Sequence, residues 1–126
     1  MSVGNRRPVF LNLLQIRFPV TAILSILHRV AGVLLVLILP FCLYLFDLSL
    51  SSADGYLQAI SIINQVPVKL LSVVFIWSLA HHLFAGIRFL FLDLDIGISK
   101  QTAQVSAIVS TAVAIVVTLV FAWSLR

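Results

Sequence analysis

Three stretches without a charged side chain dominate this chain of 126 residues: Val30 to Phe46, Leu70 to Ile87 and Gln101 to Leu125. Runs of this kind leave few folds open. The hydrocarbon core of a bilayer needs about 20 mostly apolar residues per crossing helix, and inside it every backbone N–H and C=O must be satisfied within the protein. The expected fold is therefore an all-α membrane protein of three transmembrane helices, with spans at about residues 21–46, 67–92 and 101–125. Residues 1–20 form a short N-terminal segment ahead of a single three-helix unit, residues 21–126.

Composition supports the same class. The chain is 62% hydrophobic and 10% charged, against roughly 45–50% and 25% in soluble domains. Eight Lys and Arg face four acidic residues, and in so apolar a chain this excess reads as topology rather than as affinity for nucleic acid. Arg6, Arg7, Arg17, Arg29, Arg88 and Lys100 fall towards one side of the three spans, and Lys69 and Arg126 towards the other. The positive-inside rule then places the N-terminus in the cytoplasm and the C-terminus outside. No small-residue cleavage site follows a short apolar core, so the first span is expected to be retained as an anchor. Cys42 is the only cysteine, which excludes an internal disulfide and a cysteine metal cage.

Between the spans the chain turns polar. Asp47 to Gln65 carries Ser49, Ser51, Ser52, Asp54 and Gly55 and is expected to be a loop with a short helix from Gly55 to Asn64. Pro67 suits a helix start, where its missing N–H is unpaired anyway. Pro40 is a candidate kink in the first span, and Asp93, Asp95, Gly97 and Ser99 form the turn before the third.

Polar residues within the spans carry the functional signal. Ser25, His28, Arg29 and Gly32 recur at helical spacing and share one stripe. For Arg29, snorkelling to headgroups competes with a functional role; the neighbouring Ser25 and His28 favour the second, since a guanidinium fork beside a histidine is suited to carboxylate or carbonyl oxygens. On the second span, His82 lies in the uncharged run and about 9 Å deeper than Arg88. A planar macrocycle ligated by His82 would have its acidic edge near His28, Arg29 and Arg88. Gly86, one turn on, either clears space for such a group or only lets helices pack closely. His81 points about 100° away from His82 and is expected to hydrogen-bond a neighbouring helix or a backbone carbonyl. In the third span Ser106, Ser110, Thr111 and Thr118 read as back-bonded to their own helix.

Two motifs connect these residues to a family. Arg7-Pro8, then Gln15, Pro19 and Ser25-Ile26-Leu27-His28-Arg29-Val30-Ala31-Gly32, followed in the second span by His82-x-x-x-Gly86-Ile87-Arg88 with Asp93 shortly after, resemble the cytochrome b556 membrane-anchor subunit of bacterial succinate dehydrogenase. The resemblance covers nearly the whole chain. It implies a subunit of succinate:quinone oxidoreductase in the bacterial inner membrane, packed with a second anchor subunit around haem b and joined to an iron–sulfur subunit and a flavoprotein. It further implies that His82 is an axial ligand of the haem iron, that His28 and Arg29 lie by the haem propionates, and that Ser25 and Arg29 bind ubiquinone. This chain alone would have no catalytic residue. Ala31 and Phe89 depart from the family pattern, which often has Ser or Thr at the first position and a second histidine at the other. A competing class is a small oligomeric transporter with a proton path through Arg29, His81 and His82.

Overall fold

A computed structural model describes residues 18–126. The expected N-terminal segment, with Arg6, Arg7, Pro8, Gln15 and Arg17, falls almost wholly outside them. Four helices follow in order: α1 (Val20–Ser51), α2 (Ala53–Ile63), α3 (Val66–Asp93) and α4 (Lys100–Ser124). α1, α3 and α4 are long and apolar enough to cross a membrane, so the three expected spans are present. At about 1.5 Å per residue even α4, with 25 residues, exceeds a hydrocarbon core of about 30 Å.

Local chemistry sets the ends. α1 runs through Pro40 and five residues past the expected Phe46, stopping where Ser52 turns extended and caps α2, its hydroxyl accepting from Gly55 N at 2.9 Å. α2 therefore starts two residues earlier than the sequence reading placed it. Pro67 lies in the first turn of α3. Between α3 and α4, Asp95 and Gly97 take left-handed backbone angles (φ 59° and 76°), which the short side chain of Asp tolerates and Gly adopts freely. Ser99 then caps α4, accepting from Thr102 N at 3.2 Å.

Small side chains bring the helices together. Ala31 on α1, Ser78, Ala80 and Ala85 on α3, and Ala107 and Ala114 on α4 are all buried, the pattern expected where helices pack without a hydrophobic drive between them and must approach closely. Larger apolar side chains such as Val36, Leu83 and Leu119 face outwards, which suits a lipid environment. The helices alternate in direction: Lys69 Nζ reaches the carbonyl of Leu125 at 3.4 Å, whereas Arg88 near the other end of α3 bonds Ser106 near the start of α4 at 3.0 Å. Arg29, Arg88 and Lys100 thus share one end of the bundle, and Lys69 and Arg126 the other, as the charge pattern requires. At that second end Arg126 stacks over Trp123 at 4.1 Å.

Candidate functional site

The crossing of α1 and α3 brings His28 and His82 face to face, with ring centroids 4.2 Å apart and planes 7° from parallel. His82 Nδ1 lies 3.1 Å from the carbonyl oxygen of His28. A carbonyl can only accept, so Nδ1 carries the proton and Nε2 keeps the lone pair. This is the arrangement that fixes a metal-binding imidazole: one nitrogen is held by a backbone carbonyl, and the other is left basic.

Beside the pair lies a cleft of about 450 Å³, lined by His28, Arg29, Gly32 and His82 and walled by Val33, Val36 and Leu37. Val36 and Leu37 are each 69% exposed, so the outer side of the cleft is open. Its lining is almost wholly apolar apart from the histidines and Arg29, which suits a large flat group with an acidic margin. The donors present fit a haem: one oriented imidazole and one cation from this chain.

The remaining expected residues divide between the cleft and the bundle interior. His28 stands level with His82, because α1 and α3 cross where these two residues meet. Its Nε2 is buried without a hydrogen-bond partner among the described residues, and an added Cβ on Gly86 would lie 3.5 Å from it. Gly86 is thus packed under His28 and does not clear the cleft. The glycine that gives His82 its room is Gly32, where a Cβ would meet His82 Cε1 at 3.0 Å and Nδ1 at 3.2 Å. Ser25 is half-buried one turn before Arg29 and is not part of the cleft lining.

Arg88 turns away from the cleft altogether. It is 8% exposed, donating through Nε to Ser106 Oγ and through Nη2 to the carbonyl of Ala103, each at 3.0 Å. Phe89 fills the space between, its ring edge-on to His28 at 5.1 Å and 5.2 Å from the Arg88 guanidinium carbon. His81 is sealed inside the bundle at 1% exposure, stacked on Trp77 at 5.4 Å, and neither ring nitrogen has a hydrogen-bond partner among the described residues. The backbone of Leu24 on α1 lies beside the His81 ring, as the expected contact with a neighbouring helix requires, although without the geometry of a full hydrogen bond. His81 lies inside the bundle and His82 on the cleft, so the two histidines that the transporter reading would join face different surroundings. The hydroxyls of Ser110, Thr111 and Thr118 do bond back to α4, but Ser106 also serves α3.

Comparison with known proteins identifies the family. A family model described as "Succinate dehydrogenase/Fumarate reductase transmembrane subunit" matches residues 4–121. The succinate dehydrogenase cytochrome b556 subunit of Coxiella burnetii is 35% identical over 94% of this chain and 98% of its own length. The protein of the same description from Rickettsia prowazekii is 31% identical over 83% of this chain and 82% of its own. The chain belongs to the succinate dehydrogenase/fumarate reductase transmembrane subunit family.

Proposed function

We propose that this chain is a membrane anchor of succinate dehydrogenase that holds haem b through His82 and contributes to the site where ubiquinone is reduced, working in the bacterial inner membrane with a second anchor, an iron–sulfur subunit and a flavoprotein. The observation that carries the reading is the bond between His82 Nδ1 and the His28 carbonyl, which leaves Nε2 basic on a ring at the edge of an open cleft. The relatives described as cytochrome b556 subunits support a b-type haem.

Each residue has a separate task. His82 supplies the ligand nitrogen and His28 fixes its tautomer and plane, by its carbonyl on one side and its stacked ring on the other. Arg29 supplies the cation for the propionates. When bound, the haem supplies a one-electron redox centre whose potential follows ligand identity and burial. The apolar wall of Val33, Val36 and Leu37 keeps water from one side of it, and the second anchor closes the other. Gly32 leaves the His82 ring free to adopt its plane.

Ubiquinone is bound through the hydroxyl of Ser25 and the guanidinium of Arg29. Their hydrogen bonds to a quinone carbonyl oxygen strengthen as that oxygen gains negative charge, so the same donors that hold the substrate favour its reduction. Replacement of Arg29 by leucine should lower succinate-driven quinone reduction by roughly 10- to 100-fold, the worth of one charged hydrogen bond, while dye reduction at the flavoprotein is retained. Equal loss of both activities would contradict the quinone role.

A further inference from the structure

A second cavity lies at the end of the bundle that holds the turn between α3 and α4, separated from the histidine pair by Phe89. It encloses about 330 Å³ and is lined by Arg88, Phe91, Leu92, Ile96, Thr102 and Ser106, among others. Arg88 is the unusual member. The residue is buried, at 8% exposure, and both of its hydrogen bonds go to neutral groups, the Ser106 hydroxyl and the Ala103 carbonyl. A guanidinium has five N–H donors, so three are left over, and the whole positive charge remains unneutralised by these partners.

The chain has little to offer as a counter-ion. Its four acidic residues are Asp47, Asp54, Asp93 and Asp95. Asp47 and Asp54 belong to the opposite end of the bundle, and Asp93 and Asp95 are exposed at the turn. A charge buried within a membrane protein is costly unless it is paired, and such residues ordinarily face a partner or a ligand. Here the buried cation faces a cavity.

The chemistry of the cavity selects the occupant. Arg88 lies five residues inside the end of α3 at Asp93, about 7.5 Å along the helix, a depth at which headgroup phosphates and the first acyl carbons meet protein. Phe91 and Ile96, 51% and 55% exposed, flank the opening with apolar surface. Thr102, whose hydroxyl accepts from Ser99 Oγ at 2.8 Å, also lines the cavity. A free anion would use the cation but not the apolar flank, and a fully apolar chain would leave the cation unmet. We infer that this cavity binds the headgroup of an acidic phospholipid, its phosphate paired with Arg88 in the bidentate manner that guanidinium groups favour and its glycerol and proximal acyl carbons against Phe91 and Ile96.

The test uses the whole complex purified in mild detergent, with bound lipid counted by native mass spectrometry before and after exchange into zwitterionic lipid. The unaltered protein should retain about one acidic phospholipid per copy of this chain that resists exchange. Arg88→Gln should lose it, and Arg88→Lys, which keeps the charge, should retain most of it. Inorganic phosphate at millimolar concentration should neither displace the lipid nor replace its effect on thermal stability. If Arg88→Gln does not assemble, the unaltered protein still decides: no exchange-resistant acidic lipid would overturn the proposal. So would equal lipid retention in the Gln variant, displacement by phosphate alone, or loss of a partner subunit from that variant with lipid content unchanged, which would mean that a partner's carboxylate meets Arg88. The haem band, measured on the same samples, reports separately on the His82 site.

Discussion

At Gly32 a methyl group would sit 3.0 Å from His82 Cε1, closer than packed carbons settle, and the ring it would push is the one held by the His28 carbonyl. At Gly86 the same methyl group meets only His28 Nε2 at 3.5 Å, an ordinary contact. Gly32→Ala should therefore lower haem content or shift the α-band, at a cost of about 1–3 kcal/mol for overpacking, whereas Gly86→Ala should keep both near their unaltered values. Haem per complex, measured by pyridine haemochrome, checks the pair; the reverse order of sensitivity would contradict the assignment of roles. Glycine content and helical spacing made Gly32 and Gly86 equally visible in the sequence. Which one faces His82 depends on where α1 crosses α3, and no spacing within a single helix carries that information. His82 itself was legible because an imidazole in an uncharged run needs a reason. Its hydrogen bond to a carbonyl was not, since every residue has a carbonyl.

Among the elements, α3 and α4 are joined by the one polar clamp between spans whose partners are both side chains, Arg88 Nε to Ser106 Oγ at 3.0 Å. Ser110, one turn later on α4, bonds only its own helix. Ser106→Ala should thus destabilise the bundle by about 1 kcal/mol, in the range for hydrogen bonds between membrane helices, and Ser110→Ala should have little effect. Unfolding of the reconstituted complex followed by helix signal would show whether the two serines differ; equal effects would contradict the clamp. The three spans were legible from length and hydropathy alone, and their ends to within a few residues except at α1. There Asp47, Ser49 and Ser51 read as loop chemistry, but Ser49 and Ser51 donate to carbonyls three residues back, Phe46 and Leu48, and remain in the helix. Ser106 looked like its neighbours on α4 because all four hydroxyl residues have the same local option. Only Arg88, a residue expected at the cleft, distinguishes it.

For the molecule as a whole, the separation of Arg29, Arg88 and Lys100 from Lys69 and Arg126 predicts sidedness. In a Cys42→Ala background, cysteine at Lys100 should react with an impermeant maleimide only from the cytoplasmic side, and cysteine at Ser124 only from the outside; the opposite pattern would invert the topology. The buried side chains are few and small, and the outward faces of α1 and α3 around the cleft are apolar and open, so this bundle makes sense as one part of a larger assembly. A chain that supplies one oriented imidazole and one nearby cation needs a neighbour to complete a haem site. The most direct test is the reduced-minus-oxidised spectrum of membranes containing the complex, with His82→Leu and His81→Leu compared at equal subunit content. The account predicts that His82→Leu abolishes the b-type α-band, while His81→Leu keeps it, because His81 is sealed in the bundle and does not line the cleft. Retention of the band in the His82 variant, or its loss only in the His81 variant, would contradict the central claim.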